Sequence, residues 1–490
     1  MTTDLANCDK EPVRTIGTIQ AHGMFFAAHP STLVVTHASA NVGDIGTPEG
    51  VIGKPLSAVL GDRIATAAKR LVDNSHSFEC IDFLVPNGQR RSNCIIRKVP
   101  DFIMLEIEPA LGDSSVPNNQ MVQTVTKEIK SAVSLNELLQ TLVASTRIIT
   151  GYDRVMAYRF DEDWNGEVIL EHRKESMSSW LYHRYPASDI PAQARELFTR
   201  NLSRIIPDVT FAPVDILPIC DPESKDALDL THSILRAPSP IHIEYLRNMK
   251  VGGSFTMSLL CNGRLWGMIA CHHRGKLYLD FATRTACEQL AIEASKRLSE
   301  WETDKIHDNS KQLEIVLKSL RDDTARGAEA TDILIEKSNV LMHLIPAAGV
   351  ALIAGDRVVC LGVCPPESVI RNLLAQIDSQ LNPLFASRCL FKTLQEAPPP
   401  TDFSGMMCVR MRGKTADQFF MWFRPEILEE VVWGGDPEKN ISAADGRIHP
   451  RKSFAAWKTI MRNTSRPWTR LDMKIATDLG AAVEEVMAVS

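Results

Sequence analysis

Between Lys276 and Arg326 the chain has neither glycine nor proline, and Leu290, Ile292, Leu298, Trp301, Ile306, Leu313, Val316, Leu317 and Leu320 recur at near-helical spacing. With no breaker to stop it, this spacing predicts one helix of roughly 40 residues, ~60 Å long at ~1.5 Å per residue. A rod of that length cannot belong to a single domain, so it must run from one domain into another. The 490 residues accommodate about two to four domains of ~100–200 residues each. Apolar positions left over along the rod favour pairing with a second copy, and a homodimer is expected.

Composition narrows the function classes. Hydrophobic residues make up 44% and charged residues 23%, enough apolar material for several cores. A net charge of -6 argues against a nucleic-acid footprint or a basic membrane-binding face. No apolar run approaches the ~18–20 residues of a membrane span, and the first twenty residues lack the basic start and apolar core of a signal peptide. A cytoplasmic location is expected, without membrane or nucleic-acid partners. The 11 cysteines are odd in number and contain no C-x-x-C pair, which argues against a disulfide framework and a zinc site. There is no Gly-rich phosphate loop and no recognisable Ser-His-Asp order, so catalysis is not expected in these residues. A reading as part of an enzyme places the activity in a module beyond them.

Taken in order, residues 1–22 have little periodicity and read as an extended arm. Strand patterns at 24–28, 33–41, 80–85, 92–99 and 102–107, with a helical piece at 65–72, predict a compact α+β domain over 23–115. A second domain, 116–305, follows a linker at 109–119. It opens with helices at 121–131 and 135–150, continues with an alternating strand at 154–160 and a helix at 192–202, and ends in a hairpin at 259–273 turned by Asn262-Gly263. A third domain, 306–490, is predicted to hold strands at 350–353, 357–361 and 407–411 and a helix at 367–378. An aromatic, glycine- and proline-rich stretch at 418–457 reads as a long excursion outside the core. Ser465 is the expected N-cap of a last helix, with Pro467 in its first turn. Its apolar stripe, Leu471, Ile475, Leu479, Ala482, Val483 and Val486, runs off the end and points to an output module.

Within the second domain, His183 to Pro191 reads H-R-Y-P-A-S-D-I-P. Pro186 and Pro191 stiffen the backbone around Asp189, while His183 and Tyr185 add an imidazole and a phenol. Read alone, this is equally a solvated surface loop. It gains meaning from its company: Cys8, D-R-V-M-A-Y-R-F at 153–160, P-A-S-D-I-P at 186–191, L-R-A-P-S-P-I-H at 235–242, Y-L-R-N-M at 245–249, W-G-M-I-A-C-H-H at 266–273, W-F-R-P-E at 422–426 and P-R-K-S-F at 450–454. In this order and spacing the motifs resemble the phytochromes, red-light receptors that bind a bilin. The resemblance implies an α+β photosensory core of PAS, GAF and PHY domains, with antiparallel sheets flanked by helices and joined by a long helical spine. It is of bacterial type, since Ile241 stands where plant and cyanobacterial relatives keep their bilin-linking cysteine.

The resemblance implies biliverdin IXα held by a thioether to Cys8. Arg204 and Arg236 match the propionate clamps, with Ser239, Ser254 and Thr256 as hydroxyl partners; guanidinium forks suit carboxylates. The main-chain carbonyl of Asp189 is matched to the acceptor of the pyrrole N–H groups, and its carboxylate to the partner of Arg451 in the PHY tongue. His183 and Ile190 of the same loop are counted with the bilin-binding residues. His242 is placed beside the pyrrole nitrogens through a water, and His272 as donor to the D-ring carbonyl. Tyr158, Tyr185 and Phe198 line the D-ring pocket, with Tyr245 nearby. Read from the residues, His272 is equally a satisfied core histidine. It cannot easily share a metal with His273, because strand neighbours face opposite ways. Three departures from the family pattern stand out: Ile16 and Ala21 replace prolines, and Phe198 replaces a tyrosine found in many relatives. The implied function is a red/far-red photoreceptor in which Z-to-E isomerisation between rings C and D refolds the tongue. A histidine kinase output module and a response regulator would follow. A light-insensitive bilin or ligand sensor is the alternative.

Overall fold

The structure, a computed structural model, describes residues 11–73, 78–85, 91–112, 119–219, 227–377, 383–394, 403–413, 416–436, 441–442, 448–449 and 453–489. Contacts divide the chain into one unit of Met1–Ser299 with Val432–Trp457 and a second of Glu300–Val431 with Lys458–Ser490. The long helix forms as its composition requires, Phe281–Ala325, 45 residues without a break, with residues in both units.

The first unit contains two large sheets and a two-stranded pair, Ile441–Ser442 with Ile448–His449. The seven-stranded one runs in the order Thr18–Ile19, Val214–Leu217, Val35–Ser39, Met24–Ala28, Ile103–Pro109, Arg91–Lys98, Phe78–Leu84. Met24–Ala28 reads as an unbroken apolar run because both of its faces are covered. Phe26 packs with Leu105, Ile64 and Leu71, and Phe25 with Met104, Ile216 and Leu235. The arm is less featureless than its composition predicts. Ile19 is fully buried and Thr18 pairs with Asp215, some two hundred residues away, so part of the arm is a strand made by a distant partner.

The second sheet places Ser203–Ile206, Gly253–Cys261, Arg264–His273, Arg154–Phe160, Gly166–Arg173 and His183–Tyr185 side by side. Its central hairpin turns at Asn262 (φ 49°) and Gly263 (φ 76°), the paired positive φ values for which Asn-Gly is suited. The helix Leu135–Thr150 starts on Ser134, whose hydroxyl accepts from Glu137 N, and stops at Gly151 in the left-handed region.

In the second unit a five-stranded sheet runs Arg357–Gly362, Gly349–Ala354, Gln418–Arg424, Gly405–Met411, Leu384–Ser387. Here the reading of 418–424 as part of an excursion is corrected. Gln418–Arg424 is the central strand: Phe420 and Trp422 pack on one face with Leu320, Leu334 and Leu479, and Met421 and Phe423 on the other with Ile370 and Leu373. A strand covered on both faces loses its alternation, and its aromatics then look like a surface motif. Ser465 is also corrected as a cap. The last helix is Arg470–Val489, and Thr469 and Asp472 cap it reciprocally, Thr469 Oγ1 accepting from Asp472 N at 3.1 Å and Asp472 Oδ2 accepting from Thr469 N at 2.9 Å. Ser465 instead donates to the carbonyl of Arg466.

Candidate functional site

Sheet register brings distant motifs onto one face. Arg204 pairs with Thr256, Thr256 with Ala270 and Ala270 with Met156; one step along, Ile206 pairs with Ser254, Ser254 with His272 and His272 with Arg154. Side chains alternate along a strand, so Arg204, Ser254, Thr256, His272 and Tyr158 share this face. The opposite face carries Ile205, Phe255, Met257, Ile269, Cys271, Val155 and Ala157, all buried. His273 accordingly points away from His272: it lies 3.3 Å from Asp153 and packs on Tyr152, whereas His272 meets the edge of Trp180. Among the described residues no group of three or more His, Cys, Asp or Glu is arranged for a metal.

Tyr158, Phe160 and Tyr185 form an aromatic cluster, with centroids 5.3 Å apart for Tyr158 and Phe160 and 6.0 Å for Tyr158 and Tyr185. Ile190, Phe198 and Phe454 pack against it half-buried. Two glycines make room for these rings. A Cβ at Gly166 would lie 1.7 Å from Tyr158 Cζ, and one at Gly434 2.5 Å from Tyr185 Cε1. Gly434 belongs to Glu429–Gly434, which pairs in parallel with His183–Tyr185 through Val432 to His183 and Trp433 to Arg184. The excursion therefore reaches the loop that carries Asp189.

That loop is a turn of 3-10 helix, Ala187–Asp189, between Pro186 and Pro191. Asp189 Oδ2 accepts from Tyr245 Oη at 3.0 Å. Tyr245 is stacked at 13° on His242, one helical turn away in Pro240–Asn248, and takes Phe454 edge-on at 4.9 Å. His183 Nδ1 lies 3.4 Å from the carbonyl of Leu181. Ser239 caps the Pro240–Asn248 helix through Ile241 N at 3.1 Å, and Glu11 from the arm hydrogen-bonds to it.

Two arginines and two histidines supply the cations and imidazoles of this region. Arg204 donates to the carbonyls of Ser233, Ile234 and Arg236, and Arg236 donates to Val13 O at 2.9 Å while its Nε is buried without a partner. Neither has an ion pair among the described residues. Burial lowers the pKa of both, Arg236 to about 10, and for Arg204 the neighbouring Arg236 lowers it further. The His242 side chain is exposed, with many protein atoms around it. Enclosure, then Arg204, lowers its pKa to about 4. Burial, then Arg154 and His242, lowers that of His272 to about 3, and its Nδ1 is buried without a partner. Both rings are neutral near pH 7, with one N–H and one bare nitrogen each.

Thus Tyr158, Tyr185, Ile190, Phe198, Arg204, Ser254, Thr256 and His272 lie on the sheet face or the aromatic cluster against it. Asp189, Tyr245 and His242 form a connected second group, and Arg236, Ser239 and His183 lie on the flanking segments. Cys8 and Arg451 are outside the described residues. Sequence reasoning missed Arg154, Glu171 and Trp180. Arg154 Nε pairs with Glu171 Oε1 at 2.9 Å, with both side chains buried, and its guanidinium lies 3.6 Å over the Trp180 ring that backs His272. The available signal was a charged residue at an inward-facing strand position.

Comparison with known proteins gives three family models in tandem: a PAS fold at 8–110, a GAF domain at 134–298 and a Phytochrome region at 313–490. "Cyanobacterial phytochrome B" of Nostoc sp. is 32% identical over 493 residues, covering 98% of this chain and 66% of the relative. A "Bacteriophytochrome" of Pseudomonas aeruginosa is 30% identical over 495 residues, with 97% and 66% covered. The chain thus spans just under two thirds of these relatives. Among solved structures, the bacteriophytochrome RpBphP3 from R. palustris matches with a TM-score of 0.81 at 31% identity, with 98% of this chain and 99% of that one covered. The Stigmatella aurantiaca phytochrome photosensory core module also matches with a TM-score of 0.81 at 31% identity, both chains being covered over 100% of their length.

Proposed function

Since this chain belongs to the phytochrome family and has the PAS-GAF-PHY architecture of a bacterial photosensory core, we propose that it is a red/far-red photoreceptor whose cofactor is biliverdin IXα. One observation carries the choice of ligand. Arg204 and His272 share one face of a single sheet with the aromatic cluster against it, Arg236 lies close enough to Arg204 and His242 close enough to His272 to shift their titration, and neither arginine has an ion pair among the described residues. Two neighbouring guanidinium groups without an ion-paired carboxylate fit two propionates, the orphan Nδ1 of His272 marks a polar position awaiting a partner, and the rings suit a flat apolar body.

When bound, biliverdin supplies the light absorption and the double bond between rings C and D whose Z-to-E isomerisation is the photochemical event. The chain's own residues do the rest. Cys8 holds the group by a thioether. Arg204 and Arg236 take the propionates, with Ser254, Thr256 and Ser239 alongside. His272 would donate toward the D-ring carbonyl, His242 would stand toward the pyrrole nitrogens, and the Asp189 carbonyl would accept from their N–H groups. Tyr158, Tyr185, Phe198 and Ile190 exclude water. The Asp189 carboxylate, held by Tyr245 in this structure, exchanges this partner for Arg451 as the tongue changes form, a shift between two packings. The contact of Gly434 with Tyr185 supports such coupling, because the ring cannot move without disturbing the strand over it. The remaining third of the relatives' length leaves room for an output module, which we assign as a histidine kinase acting on a response regulator. Among the described residues no helix is long and apolar enough to cross a membrane; a cytoplasmic homodimer is our assignment, the dimer motivated by the long helix Phe281–Ala325.

The test is an absorption spectrum of the protein with biliverdin in the dark, after red light and after far-red light. Reversible interchange of two long-wavelength bands is expected. A stable, light-inert band would make the protein a bilin sensor instead, and no band would refute the cofactor. Cys8→Ala should retain reversible binding and lose the pigment on denaturation.

A further inference from the structure

Glu106 lies on Ile103–Pro109 of the seven-stranded sheet and is buried. It is 127 residues from Ser233, its nearest hydrogen-bond partner, and no part of the site described above uses it. Its carboxylate faces the segment 233–236, which ends in Arg236. Oε1 accepts from Ser233 Oγ at 2.7 Å and Leu235 N at 2.9 Å, and Oε2 from Ile234 N at 3.3 Å. Ser233 Oγ accepts in turn from Arg236 N at 2.9 Å, so the hydroxyl proton points to Glu106 and the hydroxyl lone pair to the arginine backbone. All three backbone N–H groups of 234–236 are thus satisfied by Glu106, directly or through one hydroxyl.

The carbonyls of the same segment are satisfied from the other side. Arg204 donates to those of Ser233, Ile234 and Arg236, and Gln20 N to that of Leu235 at 2.7 Å. A buried carboxyl group and a guanidinium therefore bracket one short stretch of backbone, the first accepting from its N–H groups and the second donating to its carbonyls. Burial raises the pKa of Glu106 and the nearby Glu108 adds to this, while the three donors, Ser233 first, lower it in part; what fixes its role is the hydrogen-bond geometry. Glu106 lies near both arginines: its field raises the pKa of Arg204, and, after Asp229, that of Arg236, against the effect of burial.

We propose that Glu106 is a positioning residue of the anion clamp: it fixes the 233–236 segment so that Arg236 and Arg204 converge on a dianionic guest. This rests on the reading of Arg204 and Arg236 as propionate ligands. Glu106 touches no ligand atom in this scheme and acts only through the arginines.

The experiment compares two ligands on the full chain in a Cys8→Ala background, where binding is reversible. Biliverdin carries both propionate charges; biliverdin dimethyl ester keeps the tetrapyrrole and lacks them. Glu106→Gln preserves shape but turns an N–H2 toward N–H and O–H donors. It should weaken biliverdin binding about tenfold or more and leave ester binding within about twofold, the loss expected when charge-assisted bonds are misaligned. Ester binding reports at the same time that the variant has folded. Ser233→Ala, which removes only the hydroxyl relay, should show the same selectivity with a smaller loss and serves if Glu106→Gln does not fold. Equal weakening of both ligands would reduce Glu106 to a packing role and overturn the proposal, as would no change in either. If the parent protein itself does not prefer biliverdin to the ester, the clamp reading fails and takes this inference with it.

Discussion

Arg284→Met offers a sharp test of the electrostatics beneath the site. Arg284, near the start of the long helix, is bonded through Nη2 to Glu108 Oε2, with Nη1 3.4 Å from the other carboxylate oxygen, and the two side chains are 3% and 0% exposed. His22 Nε2 adds a contact at 3.4 Å. Burial by itself pushes the Glu108 carboxyl up, but Arg284 and then His22 outweigh it and bring the pKa down from 4.5 to about 2. A folded-state value below the unfolded one contributes stability that is present above about pH 4.5 and is lost as the pH falls through about 2. At 1.36 kcal/mol per tenfold this is ~3 kcal/mol, within the ~3–5 kcal/mol for breaking a buried pair from one side. Methionine keeps the apolar stem and removes the charge, so Glu108 is left buried beside Glu106 with only His22 near it, and its carboxyl rises above the ordinary range. The expected result is a loss of ~3–5 kcal/mol near pH 7 that shrinks toward about pH 5, as protonation relieves the stranded charge in the variant before it affects the parent. Hydrogen exchange of the amides of residues 103–108, followed against urea at both pH values, measures it. A loss that is the same at both pH values, or below ~1 kcal/mol at pH 7, would show that the pair is not what holds this strand.

Two further outcomes follow from packing and capping. Gly166→Ala drives a Cβ into the Tyr158 ring and should cost ~1–3 kcal/mol, whereas in a Tyr158→Leu background the same change should cost under ~0.5 kcal/mol; equal costs in thermal melts of the two backgrounds would show that the ring is not the obstacle. Thr469→Ala should destabilise the last helix by ~1 kcal/mol, with Thr469→Ser largely restoring it, read as exchange protection over Arg470–Val489; a serine variant no better than alanine would remove the capping role.

Much of this architecture is legible locally. The breaker-free stretch becomes Phe281–Ala325, the Asn-Gly pair becomes the hairpin turn, and Leu135–Thr150 has its Ser and Gly boundaries where the residue types place them. The alternation in Arg154–Phe160 correctly separates Tyr158 from Val155 and Ala157. Legibility fails where burial is two-sided or partners are remote. Gln418–Arg424 reads as an excursion because a doubly covered strand has no polar face to betray its period. Ser465 and Thr469 are both acceptable caps by type, and only the reciprocal bond from Asp472 distinguishes them.

The same division applies to the site. Sequence by itself determined which side chains could serve an anionic, conjugated ligand, since guanidinium, imidazole and phenol chemistry belongs to the residue and strand parity assigns it a face. Tertiary structure alone decided that Arg204, Ser254 and His272 share one face, that Gly434 lies over Tyr185, and that Glu106 brackets the segment leading to Arg236. Register and contact between strands depend on the packing of every layer around them, and no short-range pattern encodes a partner more than a hundred residues away.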